Sequence, residues 1–335
     1  MGGSAMAEKI LVTGGGGFLG KALIQQLILR GHTLHTLNRG HYPDLEALGV
    51  RCFQGDLADP AMVKEAARGC TTVFHVGAKA GVWGEYADYY KANVIGTQNV
   101  LLACRALGIS RLIYTSSPSI TFAGRDQDGI DETNPLPSHY VAAYPATKAL
   151  AEKLVLAASG SELATVSLRP HLIWGPGDNH IIPRLLDRAR KGRLRLIGEA
   201  GKRVDAVYID NAVQAHLCAY DRLQKGSPID GKVYFITNDE PMPLEDIINA
   251  TLQAAGLPRV NRRIPARAAY FLGGAFEFFY RLLRLNHEPP LTRFAASQMS
   301  TSHWYNTRAA REELGYTPAV SMKEGFQRLA LALQG

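Results

Sequence analysis

The stretch KILVTGGGGFLGKALIQQLILRG, residues 9–31, constrains the fold more than any other part of the chain. KILVT reads as a buried strand, a run of glycines follows, and a helix with apolar residues at helical spacing continues to Gly31. Gly14, Gly17 and Gly20 stand at G-x-x-G-x-x-G spacing. A glycine trio by itself marks only a tight turn. Between a strand and a helix it lets the main chain approach a pyrophosphate on the helix N-terminus, beside Phe18 and Leu19. The order strand, glycines, helix predicts a dinucleotide site.

The pattern repeats downstream. HTLHTLN, VRCFQGDL, TTVFHVGA, RLIYTSS and LATVSLRP read as further strands. A long helix over YADYYKANVIGTQNVLLACRALG and another from about Tyr144 to Ala158 lie between them. Short loops between alternating elements call for an α/β fold, a Rossmann doubly wound parallel sheet with right-handed crossovers. After WGPG the alternation breaks, and KVYFITN reads as a strand returning to the sheet. IIPRLLDRARKGRLRLIG reads as a helix and a short strand, and PLEDIINATLQAAG as a helix. The expected division is a dinucleotide-binding Rossmann domain over 7–175, with 207–240 returning to it. A smaller, discontinuous C-terminal substrate-binding domain takes 176–206 and 241–330.

Composition narrows the class. The chain has 335 residues, 46% hydrophobic, with a net charge of +7 and no dense Lys/Arg tract, which argues against a nucleic-acid arm. The basic excess is either a solvated surface or an attraction for anionic ligands or an acidic membrane face. Cys52, Cys70, Cys104 and Cys218 lie far apart without CxxC, so neither a metal site nor a disulfide framework is expected. MGGSAM reads as a cloning scar ahead of a start near Met6. With no signal peptide and no apolar run of ~20 residues, the expected location is a reducing cytoplasm.

The second strand ends at Asn38, where dinucleotide folds usually carry an acid for the ribose 2′-hydroxyl. A carboxylate there repels a 2′-phosphate, whereas Arg39 pairs with one through charge-assisted hydrogen bonds. Losing the acid and gaining the cation favours NADP (NADPH) over NAD, with NAD still usable. Asp56 and Leu57 follow the third strand, where an adenine would lie; Gly77, Ala78 and Lys79 follow the fourth, beside the phosphates.

YPATK sets Tyr144 and Lys148 at i, i+4, on one helical face, and Ser117 ends the fifth strand at the carboxyl edge where such sheets bind ligands. Together they supply the parts of carbonyl reduction. The serine hydrogen-bonds the substrate oxygen and the tyrosine donates the proton. The lysine lowers the tyrosine pKa from its ordinary ~10 and holds the nicotinamide ribose.

TGGGGFLG, GDL, ANVIGTQNV, YTSS, YPATK, LRPHLIWGPG and VDAVYIDNAV, in that order, resemble an extended short-chain dehydrogenase/reductase over essentially the whole chain. That resemblance implies that Asn93 lies near the active site and Pro170 with His171 near the nicotinamide. EPPLTRF, HWYNTRAAREELGYTP and EGFQRL are similar to the 3β-hydroxysteroid dehydrogenase-like branch. NRGHYP, GAKAGVWG and LRPHLIWGPGD resemble, more narrowly, the bacterial 2-alkyl-3-oxoalkanoate reductases of long-chain olefin biosynthesis. Ser117 departs from the Thr expected there, but either hydroxyl donates the same hydrogen bond. The resemblance implies a long-chain hydrophobic 3-oxo acid as substrate and a homodimer through the helices after strands four and five. It also implies association with other olefin-pathway enzymes. The rival reading is an NAD-dependent 3β-hydroxysteroid or sterol-4-carboxylate 3-dehydrogenase; a sugar-nucleotide epimerase and an inactive cofactor-binding scaffold fit less well.

AAYFLGGAFEFFYRLLRL, from Ala268, carries two apolar stripes. One is Ala269, Leu272, Phe276, Phe279 and Leu283; the other is Phe271, Ala275, Phe278 and Leu282. The helix is either buried between layers, or one stripe lines an acyl-sized pocket or makes peripheral membrane contact with Arg281 and Arg284 at the rim. Gly273-Gly274 reads as a weak point that lets it move as a lid. Arg293, Arg184 and Lys79 are candidates for the substrate carboxylate, with EPPLTR alternatively a rigid turn whose arginine makes a structural ion pair.

Overall fold

The computed structural model describes residues 7–285 and 287–334; the scar read at residues 1–6 lies outside them. The first half alternates as expected: β1 (Lys9–Thr13), α1 (Phe18–Leu29), β2 (Thr33–Asn38), α2 (Pro43–Ala47), β3 (Arg51–Gln54), α3 (Pro60–Ala67), β4 (Thr72–His75), α4 (Tyr86–Tyr89), α5 (Gly96–Leu107) and β5 (Arg111–Thr115). The chain continues through β6 (Gln127–Ile130), α6 (Ala143–Ala157), β7 (Ala164–Pro170), β8 (Ile173–Trp174), α7 (Ile181–Arg190), β9 (Leu196–Ile197), β10 (Arg203–Val204), β11 (Val207–Tyr208), α8 (Ile209–Arg222) and β12 (Lys232–Ile236). It ends with β13 (Met242–Pro243), α9 (Leu244–Ala254), β14 (Arg263–Ile264), α10 (Ala266–Leu282), α11 (Arg293–Met299), β15 (His303–Tyr305) and α12 (Met322–Gln334).

Seven parallel strands form the main sheet in the order β12-β7-β5-β4-β1-β2-β3. The order reverses at β1, so the crevice between the carboxyl ends of β1 and β4 is the natural ligand site. Helices cover both faces, which explains why β1 reads as a continuous apolar run. Ile10 and Val12 join the core on the α1/α8 side, and Leu11 joins the α3/α5/α6 side. α3 was not foreseen. Asp59 starts it by accepting hydrogen bonds from the Ala61 and Met62 N–H groups, with Pro60 at the first helical position.

Two differences bear on the site. The long helix expected after β4 contains a π-helical segment, Tyr90–Ile95, which carries Asn93. The strand β6 lies in the range assigned to the Rossmann domain, yet it pairs in parallel with β15, Gln127 opposite His303. Its sheet has the order β13-β10-β15-β6. A four-residue strand takes its role from its partner, and this partner comes from the far end of the chain.

α10 decides between the alternatives left open for it. Its buried positions are Ala269, Gly273 and Glu277, while Phe271, Leu272, Phe278, Phe279 and Leu282 are exposed, so it is not buried between layers. Gly273 serves close packing: a Cβ there would lie 2.7 Å from the Thr292 carbonyl carbon. Glu277 accepts from the Arg293 N–H (2.7 Å) and Nε (2.8 Å), fixing α10 on the N-terminus of α11.

Candidate active site

The glycine turn is held from below. Gly14 N–H bonds to the Leu37 carbonyl (3.0 Å), Gly15 N–H to Thr36 Oγ1 (3.2 Å) and Gly16 N–H to Asn38 Oδ1 (2.8 Å). Gly14 has φ +70°, and a Cβ there would lie 2.6 Å from Gly77 Cα, so the β1 and β4 loops touch only because both are glycine. A Cβ on Gly20 would collide with the Gly14 carbonyl oxygen, whereas one on Gly17 meets only that oxygen, at 3.3 Å. The turn is therefore closed behind Gly14 and open in front of Gly17. α1 begins at Phe18 and Leu19 with no side chain capping it. A bare main chain, an open front and an uncapped helix N-terminus fit a dinucleotide pyrophosphate.

The remaining cofactor candidates line the same edge. Asn38 is buried, with Oδ1 on Gly16 and Nδ2 donating to Thr36 Oγ1 (3.0 Å). Its amide thus braces the turn instead of reaching outward as the missing acid would. Arg39 is exposed and makes no ion pair among the described residues. Asp56 Oδ1 accepts from the Ala58 N–H (3.0 Å), and Leu57 is wedged against Gly77 and Gly96. Ala78 is exposed, and Lys79 Nζ meets Asp88 at 2.8 Å.

A buried polar chain, unseen in the sequence, joins the glycine turn to α6. Gly77 N–H donates to Thr13 Oγ1 (3.1 Å), which lies 2.8 Å from His75 Nδ1; His75 Nε2 lies 2.9 Å from Thr97 Oγ1, and that hydroxyl donates to the Asn93 carbonyl (2.6 Å). With its proton given to Asn93, Thr97 accepts from Nε2–H, and Nδ1 accepts from Thr13. Burial holds His75 neutral, its pKa pushed down to about 3. Asn93 Nδ2 then donates to Thr147 Oγ1 (3.0 Å), which donates to the Ala143 carbonyl (2.8 Å) in the first turn of α6. The Asn93 side chain also clasps the Lys79 main chain, accepting from N–H at 2.7 Å and donating to the carbonyl at 3.0 Å. The one sequence signal was a histidine inside a buried strand.

Ser117 stands two residues past the end of β5, and Lys148, on α6 with Tyr144, reaches back to the last residue of that strand. Ser117 Oγ lies 2.9 Å from Ser119 Oγ and accepts from the Ser119 N–H (3.2 Å). Burial raises the tyrosine pKa, and the Ser117 hydroxyl opposes that rise. Lys148 is 2% exposed; its Nζ donates to the Thr115 carbonyl (2.6 Å) and sits 4.1 Å above the Tyr114 ring. Burial pushes its pKa down to about 7, and the negative charge of Glu152 holds it up. Lys148 was expected to depress the tyrosine; here burial outweighs the one lowering contact, which comes from Ser117.

Glu152, one turn after Lys148, is fully buried and grips Arg169 of β7 through two bonds, 2.6 and 2.9 Å. Pro170 and His171 follow at the end of β7. His171 is a packed histidine, edge-on to His303 (4.9 Å) and Tyr305 (5.1 Å), with burial holding its pKa well below the ordinary value. The three carboxylate-binding candidates are paired: Arg293 with Glu277 (2.8 Å), Arg184 with Glu288 (3.0 Å) and Lys79 with Asp88 (2.8 Å). The structural ion pair weighed for Arg293 is the one observed. Among the described residues no group of His, Cys, Asp or Glu is arranged to hold a metal, and no helix is long and apolar enough to cross a membrane.

Residues 11–266 match the 3-beta hydroxysteroid dehydrogenase/isomerase family. The chain belongs to that family. It is an oxidoreductase with a Rossmann-like parallel sheet. A 2-alkyl-3-oxoalkanoate reductase of Stenotrophomonas maltophilia (strain K279a) is 53% identical over 324 residues, 96% of this chain and 98% of its own length. A 2-alkyl-3-oxoalkanoate reductase of Shewanella oneidensis is 48% identical, over 98% of this chain and 88% of its own. The mouse sterol-4-alpha-carboxylate 3-dehydrogenase, decarboxylating, is 32% identical over 96% of this chain and 90% of its own. Among solved structures, gox2253 superposes with a TM-score of 0.78 at 27% identity, covering 97% of each chain. The UDP-glucose 4-epimerase of Thermus thermophilus, solved with NAD, superposes at 0.73 and 24% identity, covering 98% of this chain and 99% of its own; this likeness shows the fold alone.

Proposed function

We propose that this chain reduces a hydrophobic 2-alkyl-3-oxoalkanoic acid to the 2-alkyl-3-hydroxyalkanoic acid, with NADPH, as a step of olefin or β-lactone hydrocarbon synthesis. The observation that supports the reading is that Lys148, four residues after Tyr144 on α6, reaches the Thr115 carbonyl at the end of β5, two residues before Ser117. The relatives named 2-alkyl-3-oxoalkanoate reductase at 53% and 48% identity support the substrate class. The residues around Gly14, Gly17 and Asn93 would hold a nicotinamide dinucleotide, which when bound supplies the hydride.

The chain's own groups do the rest. Ser117 donates a hydrogen bond to the 3-oxo oxygen and polarises the carbonyl. Tyr144, kept protonated by burial, delivers its phenolic proton to that oxygen as alkoxide character develops. Lys148, when charged, stabilises the phenolate left behind, and Glu152 supports that charge. Asn93 and the His75 chain keep α6 and the phosphate turn in register. Preference for NADPH rests on Arg39, exposed and without an ion pair among the described residues, next to an uncharged Asn38. The protein is read as a cytoplasmic homodimer through α5 and α6, where Leu102 and Leu150 stand exposed, working with the other enzymes of that pathway.

The test follows nicotinamide absorbance while a synthetic 2-alkyl-3-hydroxy acid and a 3β-hydroxysterol are each offered with NADP+ and NAD+. Turnover of the hydroxy acid, faster with NADP+, is expected, and Arg39→Ala should erase most of that preference. Sterol turnover with NAD+ and silence with the hydroxy acid would overturn the substrate and the cofactor reading together.

A further inference from the structure

α10 shows its largest apolar side chains to solvent. Phe271 is 75% exposed, Leu282 64%, Phe278 63%, Leu283 63% and Phe279 54%. A contiguous patch of that size on a folded chain marks a surface that something covers. Charge says what kind of surface. Residues 266–285 include Arg267, Arg281 and Arg284 and a single acid, Glu277, which is buried and bound to Arg293. At 3.6 residues per turn, Arg267 and Arg281 border one side of the apolar arc, and Arg284 stands just past its C-terminal end. The outward face is thus apolar with a cationic edge and no carboxylate.

A second copy of the chain is a poor occupant. A two-fold axis through this face sets arginine against arginine, with no acid on the face to separate them. An anionic bilayer satisfies both features, taking the aromatic and leucine side chains into the acyl boundary and the guanidiniums onto its phosphates. The face also adjoins the catalytic elements. Tyr280 packs edge-on to Trp83 (6.2 Å), Arg281 lies over the same ring (5.4 Å), and the Trp83 carbonyl accepts from the Tyr89 hydroxyl (2.9 Å). Tyr89 ends α4, which packs on α6, the helix of Tyr144.

We propose that α10 is an amphipathic anchor that seats this enzyme on an anionic lipid bilayer and opens its active site toward the lipid phase. The purpose of the anchor, collection of a membrane-dissolved acyl substrate, rests on the function proposed above; the docking does not.

The experiment is co-sedimentation of the full chain with vesicles of phosphatidylcholine, with and without about one-third phosphatidylglycerol, at about 0.1 M and about 0.5 M salt. Wild type should bind the phosphatidylglycerol vesicles and leave them as salt rises. Phe278→Ser/Leu282→Ser should bind roughly tenfold less per side chain removed, and Arg281→Glu/Arg284→Glu roughly fivefold less per charge lost. The serine pair, with wild-type circular dichroism and melting, should still oxidise a short, soluble 2-alkyl-3-hydroxy acid at the wild-type rate. Absence of wild-type binding, or equal binding by the variants, overturns the anchor. A wild-type dimer that the serine pair disperses in sedimentation equilibrium would make the face a copy–copy interface and overturn it too. Vesicle binding without any turnover of the soluble acid would leave the anchor standing and remove the proposed reaction.

Discussion

Glu152→Gln is the perturbation with the most to say, because one carboxylate serves both the fold and the chemistry. Glu152 and Arg169 side chains are 2% and 5% exposed and joined at 2.6 and 2.9 Å, so neither charge has water to fall back on. Arg169 Nη1 already lacks a hydrogen-bond partner among the described residues; its other neighbours are the Phe235 ring, 5.2 Å away, and, less directly, the carboxylate of Glu132. Removing one charge of a buried pair strands the other, at a cost of about 3–5 kcal/mol. Total stabilities are commonly about 5–15 kcal/mol, so a large share of the margin disappears. At about 2–3 °C per kcal/mol for a large domain, the melting temperature should fall by about 6–15 °C. Glu152→Met/Arg169→Met, which removes both charges, should recover more than half of that loss. Glu152 is also the charge that holds up the Lys148 pKa. In Glu152→Gln the lysine should therefore discharge at lower pH, and the reductive kcat/KM should begin its decline at lower pH than in wild type. Calorimetry or circular dichroism reads the first effect and a pH–rate profile the second. A melting temperature within about 2 °C of wild type, together with an unmoved profile, would refute the reasoning.

Lys148 itself sets the sign of the wild-type profile: with a pKa near about 7 it is charged below that pH, so reductive kcat/KM should fall as pH rises through about 7. Lys148→Arg, whose charge persists, should lose that descending limb in the same assay. Tyr144→Phe should lower kcat by at least about a hundredfold while cofactor binding, followed by fluorescence quenching, changes little; normal turnover would end the proton-donor assignment. Asp205 is buried with Oδ1 unpartnered among the described residues, and its pKa is pushed up to about 7, chiefly by burial. A raised folded-state value means the stabilisation is complete below the unfolded pKa near 3.8 and is lost as pH climbs through about 7. Asp205→Asn should accordingly gain several degrees in melting temperature at pH ~8, clearly less at pH ~5 and almost none at pH ~3, as measured by thermal scans at all three.

Local signals were the legible ones. The glycine turn, the alternating strands and the Tyr144/Lys148 pair are written within a few residues of one another, because strand and helix periods follow from backbone geometry alone. Asn38 shows where that reading stops: its position at the end of β2 is plain in the sequence, its bond to Gly16 N–H is not. The exposure of α10 was open in the sequence for the same reason. A helix with apolar residues nearly all round does not say which side meets protein, and Ala269, Gly273 and Glu277 decided it by letting α11 come close.

The strands of the sheet, the glycine turn and the placing of Tyr144 and Lys148 on one helical face were legible in the sequence, since each depends on spacing within one element or one loop. Tertiary structure alone decided the rest. The pairing of β6 with β15, the Glu152–Arg169 bond and the hydrogen-bond chain from Gly77 through His75 to α6 join residues from different elements. A buried polar group must find its partner wherever the chain delivers one, and that partner is set by packing rather than by any period in the sequence.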